Sequence, residues 1–200
     1  MPTVSTVPGL REQKKLSTRA ALTEQALRLA DERGYDGFTI ADLVDSVGVS
    51  RRTFSNYFAG KAECLAAISD SWMDGALGLI ESAPADRSLT ALLREVLENL
   101  SEQIVNSRTG ILAMADSEPE LAAALGACEL VHGERVAAVI SARTSLAADD
   151  IRISLLAEFA LSAGRACIQR WVMRDRAGGR EGLARDLDLA FSLIDFDRLT

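Results

Sequence analysis

Arg51, Arg52, Thr53, Ser55, Asn56, Tyr57 and Lys61 lie together in the stretch SRRTFSNYFAGK, residues 50–61. Arginine can donate two hydrogen bonds to O6 and N7 of guanine, asparagine can pair with adenine, and a threonine methyl can touch thymine. Nothing in the stretch pairs a nucleophile with a base. The set suits recognition of a polyanion with a pattern of donors and acceptors, and a plain solvated face is the competing reading.

The charge distribution sharpens the choice. The 200-residue chain has a formal net charge of -7, yet residues 1–61 hold 9 Lys+Arg against 7 Asp+Glu, leaving 13 against 22 for the rest. A locally basic segment in an acidic chain points to a local polyanion contact, since long-range attraction would favour a basic protein throughout. Three cysteines, Cys64, Cys128 and Cys167, lie far apart, form no CxxC pair and leave one over, which fits reduced thiols in a cytoplasm. A single histidine, His132, excludes a His-rich metal site, and no cofactor is expected. No run of eighteen apolar residues and no secretory leader is present, so neither a membrane nor export is expected.

The elements that must position these residues read as helices throughout. Proline occurs only at Pro2, Pro8, Pro84 and Pro119, and apolar residues recur at helical spacing. Leu22, Ala26, Leu29 and Ala30 make one stripe of a first helix that stops at Gly34. Thr39, with an acid three residues on, opens a second helix carrying Ile40, Leu43, Val44 and Val47 and ending at Gly48. Ser50 is a good cap for a third, short helix over Arg51 to Tyr57. Two short helices joined by a glycine turn make a helix-turn-helix. A long helix is expected from Lys61 to about Glu81, with Leu65, Ile68 and Trp72 on one side. Residues 82–88 form a linker, and Leu89 to Leu100 mark a fifth helix. SEPE at 117–120 reads as a capping box for a helix running towards Ser145. Asp149 and Asp150 suit the next start, and the glycines at 178 and 179 precede a last amphipathic helix. The domains expected are 1–60, an N-terminal arm with the helix-turn-helix, and 61–200, a helical domain beginning with the connecting helix.

On the third helix, about 100° per residue puts Phe54 and Phe58 on one side and Arg52, Thr53 and Asn56 on the other. Arg51 and Ser55 flank that face, and Tyr57 sits at its other edge. Such a helix fits the major groove, with the phenylalanines as anchors. Lys61 stands in the first turn of a helix, where a cation opposes the macrodipole. A DNA phosphate would offset that cost, and so would nearby Glu63. Arg11, Lys14, Lys15 and Arg19 form a second cationic set that could reach the backbone or a minor groove, or be solvated.

Residues 26–65, ALRLADERGYDGFTIADLVDSVGVSRRTFSNYFAGKAECL, resemble the TetR family of transcriptional regulators in order and spacing: GY, the Thr-Ile-Ala helix start, GVS, TF, and YF followed three residues later by lysine. The resemblance implies a three-helix DNA-binding domain, a connecting helix, and a larger helical domain that dimerises and usually binds a small effector. It implies Arg51, Arg52, Thr53 and Ser55 as groove-facing positions and Thr39, Tyr57 and Lys61 as phosphate contacts. Ser55 departs from the aromatic residue that many relatives carry there.

Beyond residue 80 the resemblance implies architecture alone. Candidates for an apolar effector pocket are Met114, Cys128, His132, Arg165, Gln169 and Trp171, with structural packing as the alternative for each. Phe159, Ala163, Cys167, Leu187, Phe191 and Ile194 are candidates for a homodimer interface built by helices near 150–175 and 181–196, or else for internal core. The expected function is a repressor that binds a pseudo-palindromic operator as a dimer and is released by a small, mostly apolar effector. A constitutive DNA-binding regulator, a helical adaptor and an enzyme are the alternatives. The enzyme fares worst, with no Gly-rich phosphate loop, metal cluster or nucleophile elbow.

Overall fold

The structure, a computed structural model, describes residues 9–106, 110–147, 149–174 and 177–193. Among the described residues every regular element is a helix, as the apolar spacing requires. The chain divides into two compact units, one of Met1–Ile68 with Ala113–Ala124 and the other of Ser69–Leu112 with Leu125–Thr200. The first therefore runs eight residues past the boundary expected at 60 and takes in a later segment as well.

The first unit contains α1 (Leu10–Arg33), α2 (Ile40–Val47), α3 (Arg51–Ser55) and α4 (Lys61–Ala66). The stripe Leu22, Ala26, Leu29 and Ala30 is buried, which fixes the face of α1 that α2 and α4 pack on. At the start of α2, Thr39 N donates to Asp42 Oδ2 (2.8 Å) and Asp42 N to Thr39 Oγ1 (3.2 Å), a reciprocal capping box. The Thr39 hydroxyl also donates to that carboxylate and holds Asp42 below its ordinary range. Gly48, at φ 73° and ψ 34°, ends α2 in the left-handed region that glycine enters without strain.

Ser50 accepts from Thr53 N at 3.0 Å and so starts α3 as expected, but α3 ends at Ser55 rather than Tyr57. Asn56 N and Tyr57 N bond to Thr53 O and Phe54 O, tightening the chain into a turn. Five residues are too few to be helical alone. Phe54 and Phe58, both buried with ring centroids 5.7 Å apart, are what hold them. The helix expected over 61–81 is also divided: α4 stops at Ala66, and α5 (Ile68–Ser82) begins after Ala67.

In the second unit the core is built by α5, α6 (Leu89–Asn106), α8 (Pro119–Ala142), α9 (Ile151–Met173) and α10 (Gly179–Ser192). Between α6 and α8 lies α7 (Ile111–Ser117), which the apolar pattern did not separate. Ser117 was expected to cap α8; as the last residue of α7 it donates instead to Met114 O. Asp150 caps α9, accepting from Arg152 N at 2.9 Å, and the Arg152 guanidinium beside it lowers its carboxyl to about 2. A Cβ on Gly164 would stand 2.4 Å from Leu97 Cδ2, so a larger residue there would force the Leu97 side chain of α6 to move.

Three polar clasps fasten α5 to α8 and the residue after it: His132 Nε2 to Asp70 Oδ1 (3.2 Å), Arg135 to Asp74, and Arg143, just past α8, to the carbonyls of Ile80 (2.8 Å) and of Ala83 beyond α5 (3.1 Å). Both residue numbers rise together, so these helices run parallel. All three cysteines are free thiols. Cys64 is fully buried, which pushes its thiol up to about 12, and burial raises Cys167 as well.

Cys167, Leu187 and Phe191, expected at a dimer interface, are packed in the core of their own chain, with Phe159 half-buried against it and Ala163 half-buried. Ile194 lies outside the described residues.

If the phenylalanine pair holds α3, Phe54→Ala should cost about 3–5 kcal/mol of unfolding free energy, measured by urea titration. A loss under about 1 kcal/mol would show that the anchor lies elsewhere.

Candidate nucleic-acid interface

The surface of the first unit follows from its anchors. With Phe54 and Phe58 inside, Arg51, Arg52, Ser55 and Asn56 are exposed, and Thr53 and Tyr57 are half-buried at the edges. Local hydrogen bonds occupy two of the hydroxyls. Thr53 Oγ1 pairs with Ser50 Oγ at 2.8 Å, and Ser55 Oγ donates to Arg51 O at 3.1 Å. Neither arginine has a salt-bridge partner among the described residues, so both guanidiniums keep their five donors for a ligand. The Tyr57 ring rests on Phe58 with centroids 6.4 Å apart.

The other expected contacts divide. Thr39 is exposed, with its hydroxyl inside the capping box. Lys14 and Lys15 are exposed on α1, and Lys15 lies 3.9 Å from Glu12, an exposed pair of small energetic weight. Arg19 on the same helix covers the Phe58 ring at 5.2 Å from its centroid.

Lys61 is turned inward. Its Nζ donates to the carbonyls of Tyr35 (2.5 Å) and Phe38 (3.1 Å) and stands 4.1 and 4.8 Å from the centroids of their rings. Two carbonyl dipoles and two ring faces thus offset the unfavourable position of the cation at the start of α4. Glu63, the other candidate partner, accepts from Ala59 N instead. The corner is acidic: burial first, then the carboxylates of Glu120, Glu118 and Asp36, raise the Tyr35 phenol above its ordinary value.

The second unit holds a half-open cavity of about 230 Å³. Trp72 and Met73 of α5, Leu97 of α6, Leu125 and Leu130 of α8, and Leu161 and Ile168 of α9 give it an apolar wall. Its polar groups are mainly Glu129, His132, Glu158 and Arg165, with Arg165 paired to Glu129 and the buried His132 paired to Asp70. Of the six pocket residues expected from the sequence, His132 and Arg165 line this cavity. Met114, Cys128 and Gln169 do not, and Trp171 is buried with its Nε1 donating to Gly179 O at 3.0 Å. Trp72 was passed over because its spacing with Leu65 and Ile68 reads equally well as core.

A second surface was missed on α9 and α10. Ile151, Leu155, Met173, Leu189 and Leu193 are 61 to 77 % exposed. On α9, offsets of four and twenty-two residues return to within about 40° of the same direction, so the first three share one face. Of the residues chosen from the sequence on α9, Cys167 lies roughly 120–160° around the helix from that face, Ala163 about 80–120° and Phe159 about 40–80°.

Comparison with known proteins agrees with this geometry. Residues 22–68 match the family of bacterial regulatory proteins, tetR family. The HTH-type transcriptional regulator TcmR of Streptomyces glaucescens is 29 % identical over 178 residues, covering 84 % of this chain and 78 % of that protein. In fold, the chain resembles a TetR-family regulator from Syntrophomonas wolfei (TM-score 0.65, 18 % identity, 89 % and 95 % of the two chains). It also resembles FadR from Bacillus subtilis, crystallised with stearoyl-CoA (TM-score 0.56, 17 % identity, 88 % and 99 %). The matched segment takes in the second half of α1 and all of α2, α3 and α4, and so includes α3 with Arg51 and Arg52. Residues 22–68 thus carry the DNA-binding segment of the TetR family, and over most of its length the chain resembles proteins that are transcriptional regulators rather than enzymes.

Proposed function

We propose that the protein is a cytoplasmic repressor that binds a pseudo-palindromic operator as a homodimer and is released by a compact, mostly apolar effector. The observation that carries the reading is the pair of exposed guanidiniums, Arg51 and Arg52, which have no ion-pair partner among the described residues, on a short helix locked from its other side by Phe54 and the following Phe58. Arg51 and Arg52 read base edges, Thr53 and Asn56 assist, and Thr39, Tyr57, Lys14 and Lys15 fix register on phosphates. So short a helix sees too few base pairs to be selective alone, and a two-fold dimer doubles the site.

The exposed apolar face of α9 and α10 supports a second copy as its cover, because five large apolar side chains so exposed are a poor surface for a lone chain. The cavity supports an effector. At about 230 Å³ it lies at the small end of ligand sites, which favours a compact molecule over a whole acyl-CoA of the kind seen with the Bacillus subtilis FadR. Its walls on α5 and α8 continue along the chain into the unit that carries α3, so a ligand that shifts either helix has a covalent route to the reading surface. A coupling of about 1–3 kcal/mol is enough to switch occupancy, and operator DNA must weaken effector binding by the same factor.

Duplexes selected from a random library by the wild-type protein test the reading. Arg51→Ala or Arg52→Ala should cost about 1–3 kcal/mol on the selected duplex and much less on random DNA. Equal losses on both would remove the arginines from base readout. Light scattering at micromolar concentration should give a dimer, and Leu155→Glu or Leu189→Glu should weaken its association by about 2 kcal/mol or more; a wild-type monomer, or variants that stay dimeric, would contradict the interface. In a Trp171→Phe variant, Trp72 at the cavity wall is the remaining tryptophan. A compact apolar compound that quenches it should lower DNA affinity about 5–150-fold. Quenching with DNA affinity unchanged would defeat the effector coupling.

A further inference from the structure

The sequence directs Lys61 towards a DNA phosphate, and the structure gives its ammonium a different set of neighbours. Two of its three donors are used at 2.5 and 3.1 Å by carbonyls of the loop between α1 and α2, and the rings of Tyr35 and Phe38 lie close by. That loop runs directly into Thr39, whose capping box begins α2. α2 in turn packs on α3, so the path from the ammonium to the reading helix passes only through contacts within one unit.

A phosphate is also a poor fit for this corner. Glu118, Glu120 and Asp36 all act on the Tyr35 phenol, so a DNA backbone brought to Lys61 would approach three carboxylates as well. Moving the ammonium outward would leave two carbonyls without their donor and forfeit contact with both rings.

We propose that Lys61 is a positioning residue of the DNA-binding unit: it clasps the 35–38 loop, and through it sets the capped start of α2 and the pose of α3, without contacting a phosphate. The proposal rests on the DNA-binding reading above and assigns Lys61 a role within it.

The test uses the full-length protein and a duplex selected by the wild-type protein from a random library. Affinity is measured across a salt series for wild type, Lys61→Met, Lys61→Arg and Tyr35→Leu, at a temperature where circular dichroism shows each to be folded. Lys61→Met should weaken binding about tenfold with the salt slope unchanged, because no phosphate contact is removed. Tyr35→Leu should weaken it similarly, and the double variant should be little worse than either single one, as for two members of one clasp. Lys61→Arg keeps the charge but replaces the compact ammonium with a planar guanidinium. It too should bind more weakly, which keeps the test decisive if Lys61→Met does not fold.

A slope shallower by about one unit per protomer in Lys61→Met would establish a phosphate contact, and full affinity in Lys61→Arg would show that the compact ammonium clasp is not required; either result overturns the proposal. A lowered melting temperature with DNA affinity intact would reduce Lys61 to a stabilising residue and overturn it equally. Failure of the wild-type protein to select any duplex would instead bring down the DNA-binding reading itself, and the proposal with it.

Discussion

The burial of Phe54 and Phe58 is the constraint on which the DNA-binding surface depends. A five-residue helix has almost no stability of its own, so its direction is set by whatever its apolar side is fixed to. With both rings inside and in contact, the polar side has one orientation, and the two arginines point outward together. The surrounding devices serve that pose. Ser50 starts the helix, Gly48 lets the preceding one stop in a tight left-handed turn, and Arg19 lies over the outer face of the Phe58 ring.

The second unit carries a different constraint, the polar side-chain clasps that tie α5 to the parallel α8. Asp70, Asp74 and the carbonyls at the end of α5 are each held by a cationic or imidazole side chain of α8 or of Arg143 just past it, and His132, which holds Asp70, also lines the cavity. A ligand competing for His132 would act on α5 and α8 together. Gly164 of α9 faces the Leu97 side chain, and both line the same cavity. The cavity therefore belongs to the packing of the whole unit rather than to one helix. This is the property that a sensor needs, because a packed set of helices responds to a ligand by shifting between discrete arrangements.

What the sequence makes legible follows how local each determinant is. The start of α2 at Thr39, its stop at Gly48 and the cap at Ser50 are governed by residues within three or four positions, and all three appear where the pattern puts them. The end of α3 is set by the tertiary burial of Phe58, which no local rule contains. The Lys61 clasp joins residues 23 and 26 positions apart, so sequence could identify the unfavourable cation without naming the carbonyls that satisfy it. On α9, small and apolar residues occur on both sides of the helix. Spacing alone could not decide whether Cys167 or Leu155 faced the core, and the packing of α10 and α6 decides it.

The central claim is that α3 reads base edges in the major groove through its exposed polar side. Base-analogue interference tests it most directly: each base of a selected duplex is replaced in turn by one altered only at the major-groove edge, such as 7-deazaguanine, 7-deazaadenine or uracil for thymine. The account predicts that sensitive positions fall in two short blocks related by two-fold symmetry, and that sensitivity at one guanine vanishes in Arg51→Ala or Arg52→Ala. Tight binding with no position sensitive to any major-groove change would contradict it.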